Sequence, residues 1–329
     1  MVDQRTDRAH SRSDPTDPRL SRRCRYGLLA GAALLGGAVL WHRVRGRIAD
    51  LTGDGNDVIT ERHAGAFVVR RRLDPDRIEA VLERVDRRCA DGDPDWLLGV
   101  DGASTASLFL DRSSDEPELR WYVEVPRNEL ERRDDPATTI AERFPVSHDA
   151  VVPGDDSVDG ELLVHAVHPR RPRTLEAAEA GLLGRDELAS DRTVDVELVR
   201  MDLESGLPER LADWLAGVSR RVIDGELSLG PIETWSEEML EAEAMYTESV
   251  VLERRAGGYS LVQYMETAEM AAVYEAYYDT WNPVARAAEL VLGRVLENPD
   301  DVLTYPIESG TEPLAHAIDP DRFRHPSEC

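Results

Sequence analysis

One stretch of this chain occurs twice, and that constrains its fold more than any other feature. Thr105–Glu124 lies against Thr247–Glu266 without a gap, every residue 142 positions from its counterpart. Thr105/Thr247, Ser107/Ser249, Leu110/Leu252, Arg112/Arg254, Leu119/Leu261, Tyr122/Tyr264 and Glu124/Glu266 are identical pairs, and Asp111/Glu253 is conservative. Downstream, Glu161–Arg171 reads against Glu312–Arg322 with Glu, Leu, His, Ala, Pro and Arg in register. Solenoid repeats have periods of roughly 20–50 residues. A longer period signals a duplicated domain.

At 329 residues the chain is long enough for two such domains. Asp and Glu number 65 against 39 basic residues, every one of which is Arg, for a formal net charge of -26. Phosphate contacts need a basic face, so nucleic acid is excluded as a partner. Such a surface stays hydrated and self-repelling in concentrated salt, and in this it resembles the proteins of halophilic archaea. Cys24, Cys89 and Cys329 are odd in number and widely spaced, which fits neither a disulfide framework nor a zinc site.

Residues 1–25 are polar and Arg-rich and read as a disordered tail. Residues 26–44 are expected to form a transmembrane or signal-anchor helix: Tyr26–Trp41 carries no charge, and flanking Arg side chains can snorkel. Seven Arg precede this run and three follow closely, which places the N-terminus inside and the globular part outside, with a cytoplasmic location as the alternative. Ser21-Arg22-Arg23 resembles a twin-arginine export signal, although Arg25 stands where an apolar residue is usual. Gly27 and Gly31 form one Gly-x-x-x-Gly pair through which two such helices could associate. Residues 45–65 read as an acidic linker. Within them Asp50–Glu61 has the outline of a calcium loop, but Thr52 and Asp57 break its pattern.

Two units follow, residues 66–172 and 195–323, joined by a linker at 173–194 and ending in a tail at 324–329. In the first, Phe67–Leu73 is a strand, Asp74-Pro75 starts a helix, and Ile78, Val81, Leu82, Val85 and Cys89 form its apolar face. In the second, Val196–Leu203 is the strand and Leu207, Leu211, Trp214, Leu215, Val218 and Val222 the helix face. Paired strands come next, Ala103–Asp111 with Leu119–Val125 and Tyr246–Glu253 with Tyr259–Glu266, the latter joined at Gly257-Gly258. A second helical stretch, clearest over Ala268–Leu296, precedes closing strands near Glu161–His168 and Glu312–Ile318. The order β-α-β-β-α-β in each unit is that of the ferredoxin-like motif, so the fold class is α+β.

Met245-Tyr-Thr-Glu-Ser249, Tyr264-Met-Glu266 and His316-x-x-x-Pro320-x-Arg322 resemble an uncharacterised haloarchaeal family similar to the dimeric α/β-barrel superfamily. The resemblance covers residues 194–322 well and 66–171 more weakly. It implies two fused ferredoxin-like repeats that form an intramolecular pseudo-dimeric barrel. Such proteins often carry His on the second helix. Here that stretch reads Trp281-Asn282-Pro283, and the first unit offers only His148.

Residues retained in both units are the candidate ligand-binding residues: Arg70/Arg200, Tyr122/Tyr264, Glu124/Glu266 and His165/His316, with Thr105/Thr247 and Ser107/Ser249 beside them. On a strand, alternate residues share a face, so Tyr122 and Glu124 point together, as do Thr105 and Ser107. A His, Tyr, Glu and Arg cluster can do acid–base work on a small carbonyl or phenolic substrate, or its His can bind haem iron. The same residues can equally be the packing and hydrogen-bonding groups of one fold used twice. Glu237, Glu238, Glu241 and Glu243 read as a solvated helix face. No Walker loop, dinucleotide fingerprint, Gly-x-Ser-x-Gly or His-Glu-x-x-His is present, no metal is expected and no cofactor is identified. The sequence alone favours a membrane-tethered small-molecule-binding or interaction protein. The alternative is an oxidoreductase or monooxygenase-like barrel enzyme, with or without a cofactor.

Overall fold

The computed structural model describes residues 59–60, 64–113, 116–152, 160–168, 171–172, 175, 181–189, 194–204, 209–223, 226, 245–255, 257–279, 283–299 and 310–322. The N-terminal apolar stretch, the calcium-like loop up to Val58 and the Glu237–Glu243 run lie outside them. No helix among the described residues is long and apolar enough to cross a membrane.

Among the described residues ten strands form two antiparallel sheets. They are β1 (Ile59–Thr60), β2 (Ala64–Arg72), β3 (Thr105–Asp111), β4 (Glu118–Pro126), β5 (Gly160–Val167), β6 (Leu182–Gly184), β7 (Asp195–Asp202), β8 (Met245–Arg255), β9 (Gly258–Thr267) and β10 (Thr311–Ile318). One sheet runs β2-β4-β3-β10-β6 and the other β1-β5-β8-β9-β7. The main strands fall where alternation of residue type places them, and the two short edge strands β1 and β6 are additions that no sequence pattern announced.

The two sheets repeat one register. Thr105 faces Glu124 across β3 and β4, as Thr247 faces Glu266 across β8 and β9. Phe67 faces Val123 in the first sheet, as Glu197 faces Met265 in the second. The closing strands depart from the expected unit. A ferredoxin-like motif keeps its last strand in its own sheet, but here β5 pairs with β8 and β10 pairs with β3, so each half lends its last strand to the other. All seven residues of β3 are buried, and an unpaired edge there would leave backbone N–H and C=O groups without partners; β10 supplies them.

Burial sorts into three apolar layers, giving the order helix, sheet, sheet, helix. Outside the first sheet, Val81, Leu82 and Val85 of the helix Ile78–Ala90 pack with Trp121, Leu108 and Leu110. Outside the second, the helices Glu209–Ile223, Met270–Asp279 and Pro283–Val295 contribute Ala212, Ala216, Val273, Tyr274 and Leu292. Between the sheets lie Val68, Phe109, Leu198, Val251, Val262 and the two tyrosines Tyr122 and Tyr264.

Local chemistry sets the helix ends. Asp74 accepts from the Asp76 amide and caps a 3-10 turn, Pro75–Arg77, which leads into the first helix. The stretch Ala268–Leu296, read as one helical segment, is two helices. The second starts at Pro283, where a ring without an N–H favours a first-turn position and opposes continuation from the preceding helix.

Candidate functional site

Six of the eight candidate residues meet between the sheets. Alternation puts Tyr122 and Glu124 of β4, Tyr264 and Glu266 of β9, His165 of β5 and His316 of β10 on the inward faces. All six are at most 3% exposed. The tyrosine rings stack at a centroid separation of 3.5 Å and an interplanar angle of 11°.

A hydrogen-bonded chain runs through each half of the cluster. His165 Nδ1 lies 2.8 Å from Ser249 Oγ, and that oxygen lies 2.8 Å from the Tyr122 hydroxyl, which donates to Glu124 Oε1 at 2.7 Å. In mirrored fashion, His316 Nδ1 is 2.8 Å from Ser107 Oγ, Ser107 Oγ is 3.1 Å from the Tyr264 hydroxyl, and Tyr264 donates to Glu266 Oε2 at 3.5 Å. Each serine and histidine therefore bridges the two halves, because Ser249 sits on a strand of one and His165 on the borrowed strand beside it.

The carboxylate ends fix the direction of every proton. Glu124, ionised, can only accept, so the Tyr122 proton points at it. The Tyr122 oxygen then accepts from Ser249, and Ser249 accepts from Nδ1–H of His165. This assigns neutral His165 the Nδ1–H tautomer and leaves its Nε2 lone pair bare. That atom is buried and has no hydrogen-bond partner among the described residues. Burial pushes the His165 pKa down, against the pull of Glu124, and so favours the neutral ring.

Arg171 joins the two chains. It donates from Nη1 to Glu124 Oε2 at 2.7 Å and from Nη2 to Glu124 Oε1 at 2.8 Å. Its Nε reaches Glu266 Oε1 at 3.2 Å, and Nη2 also meets Glu266 Oε2. Burial opposes ionisation of Glu124, but the Arg171 guanidinium beside it outweighs burial and holds the carboxyl below its ordinary range. Burial raises both tyrosine pKa values well above the ordinary phenol range, with the neighbouring carboxylates adding to it, so both remain phenols.

Arg70 and Arg200 lie elsewhere, in a second cluster at the opposite end of the same strands. Arg120 is its centre: fully buried, it donates to Asp111 at 2.6 Å, Glu118 at 2.7 Å and Glu253 at 2.8 Å. Arg70 reaches Glu118 at 3.3 Å, Arg200 holds Asp202 at 2.6 Å with Asp111 at 3.6 Å, and Arg255 reaches Glu118 and Glu253 at 3.0 and 3.2 Å. Four guanidiniums thus face four carboxylates, an ion network in which charges pair internally.

Arg171 and Arg120 are absent from the candidates, the first although the repeat pairs it and the second because the repeat does not. Arg120 aligns with Val262, while Arg171 aligns with Arg322, which instead binds Asp319 at 2.6 Å on the surface. A usable signal existed for Arg120, since it shares the face of Tyr122 and Glu124. His148, the first half's candidate on its second helical stretch, lies in a 3-10 turn, His148–Ala150. Among the described residues no group of three or more His, Cys, Asp or Glu is arranged to hold a metal. His165 Nε2 suits a metal chemically, but among the described residues the Tyr122 and Tyr264 rings of the same cluster stack on each other.

No family model matches this sequence, and no curated protein matches it. Among solved structures, an anthrone oxidase-like protein aligns at 13% identity and TM-score 0.31, covering 80% of this chain and 94% of its own. A protein of Fusobacterium nucleatum, provisionally named a monooxygenase, aligns at 6% identity and TM-score 0.36, covering 78% and 92%. Another so named, from Lactobacillus acidophilus, aligns at 8% and 0.33, covering 78% and 93%. Likeness this slight assigns no reaction. The chain is a mixed α+β protein of two antiparallel sheets.

Proposed function

We propose that this chain is a membrane-tethered small-molecule-binding protein, built from two fused ferredoxin-like units that close as a pseudo-dimeric α/β barrel. In this reading the inter-sheet cluster is a polar weld between the units, not a reaction chamber. The observation that carries it is occupancy. The candidate residues converge, but Tyr122 and Tyr264 stack in the space they enclose, and each hydroxyl is held by a serine and a carboxylate. The repeated register supports the fused-unit reading, and contacts of β2 with β5 and of β7 with β10 support closure of the barrel. The tether is residues 26–44, and the excess of acidic residues suits a protein working in concentrated salt.

The second reading is an oxidoreductase or monooxygenase-like enzyme, with or without a cofactor. One observation favours it: a neutral, buried His165 whose Nε2 lone pair is aligned by a relay that ends on a carboxylate. Such a base could take a proton from a small phenol or cyclic ketone.

One variant separates the two. His165→Asn combined with His316→Asn, made in the full chain, lowers the melting temperature but leaves co-purified small molecules in place on native mass spectrometry. Oxygen uptake by the wild type across phenols and cyclic ketones, lost in a His165→Asn protein that remains folded, would replace the binding reading with the enzyme.

A further inference from the structure

Along the helix Ile78–Ala90, Val81, Arg84, Val85 and Arg88 follow one another at spacings that set them on a single stripe. That stripe is one wall of an open cleft of about 400 Å³. Trp96, from the short helix Asp95–Leu98, faces it together with Val146 and Ser147, which follow the helix Pro136–Glu142.

The depth of the cleft is apolar. Val81, Val85 and Val146 are at most 5% exposed. Its mouth is cationic. Arg88 is exposed and makes no hydrogen bond or ion pair with the described residues. Arg84 donates to Ser147 Oγ and reaches Asp149 Oδ1 at 3.5 Å, an exposed pair of the kind that contributes little. Trp96 Nε1 is buried and has no acceptor among the described residues, whereas Trp121 Nε1 has Leu97 O at 2.9 Å. A buried donor left unmet is costly.

These groups share one need, an acceptor that carries negative charge. A chain of net charge -26 repels anions at long range, and two guanidiniums at the mouth of one cleft are a local exception. Guanidinium meets carboxylate through two parallel N–H donors, a geometry that a bare inorganic anion does not need. Apolar walls with a few convergent polar groups are the usual make-up of a small-molecule site, and a volume of this size lies at the small end of such sites. The second half offers no equivalent. Pairing Arg70 with Arg200 sets Arg84 against Trp214 and Arg88 against Val218.

We propose that this cleft binds a small organic monocarboxylate with a compact apolar body. Arg88 and Arg84 take the carboxylate, Arg84 exchanging Asp149 for it, while Val81, Val85 and the Trp96 ring pack against the body. This gives the binding reading above a place and a ligand class, and rests on it.

The test uses the full chain in molar salt, where loose attraction of an anion to an exposed arginine is screened. Saturation-transfer NMR compares benzoate, benzamide and acetate. Benzoate is expected to bind saturably. Benzamide keeps the shape without the charge, acetate keeps the charge without the body, and each is expected to bind at least tenfold more weakly. Arg88→Gln, at an exposed position without a partner, is expected to weaken benzoate at least tenfold with the near-ultraviolet circular dichroism of a folded protein. Arg84→Gln is expected to do the same, and it decides the matter if Arg88→Gln does not fold. Failure of benzoate to bind, equal binding of benzamide or acetate, or undiminished binding in folded variants would overturn the site. If a co-purified molecule is retained by Arg88→Gln, the site falls and the binding reading stands. If no probe binds and nothing co-purifies, both fall.

Discussion

Replacing Arg171 by methionine would leave Glu124 and Glu266 buried side by side without their shared cation. Removing one partner of a buried ion pair costs about 3–5 kcal/mol. We expect Arg171→Met to lower the unfolding free energy read from urea titration by that amount at neutral pH, with Arg171→Lys recovering part of it. Acid should act on the same cluster in two stages. The folded pKa of His165 is depressed below its ordinary 6.5, so its contribution is complete above about pH 6.5 and declines as pH falls toward the folded value. Glu124 is likewise depressed below 4.5, so its contribution is complete above that pH and is lost as pH falls through the folded pKa. Denaturant titrations from pH 7 to 3 should show both stages, and His165→Asn should flatten the upper one. At this scale pairing picked out Tyr122 with Tyr264, Glu124 with Glu266 and His165 with His316, which meet between the sheets, but also Arg70 with Arg200, which lie in the other cluster. The sequence was opaque where a residue had no twin. Arg120 faces Val262 in the alignment, and nothing in a pairwise comparison marks an unmatched cation as the centre of a network.

Strands β3 and β8 are each paired on both sides, and one partner of each comes from the distant half of the chain. Their amides should exchange with solvent only through global unfolding, whereas Ile59 and Thr60, on a two-residue edge strand, should exchange through local opening. Hydrogen–deuterium exchange with peptide-level mass spectrometry would check this, and early exchange of Ala106–Leu110 would contradict it. Alternation of residue type was enough to locate these strands and their inward faces. It does not specify which sheet a strand joins. His165 faces inward whether β5 lies beside β2 or beside β8, so the exchange of closing strands leaves no trace in the periodicity. The ladders of β5 on β8 and β10 on β3 report it, together with the contacts of His165 with Ser249 and His316 with Ser107.

Exchange at the level of strands has its consequence in the whole molecule. Neither sheet can form from one half alone, since β5 belongs to the second sheet and β10 to the first. Calorimetry should therefore give one transition with equal calorimetric and van't Hoff enthalpies, despite a chain length that would accommodate two separate domains. Two resolved transitions would mean that the halves hold together independently. The repeat in the sequence carries no sign of this interdependence, which depends on long-range pairing between residues 209 positions apart, such as Ser107 and His316.

Arg171 stands between Glu124 and Glu266, and Arg120 has no twin at Val262. In an assembly of two identical chains, any cation reaching the central axis arrives with its double, and two guanidiniums would contend for one seat. A single polypeptide escapes that rule, because it can supply one cation from one side and nothing from the other. Once it has done so, its two halves are left and right hands, and neither supplies both sides of this cluster.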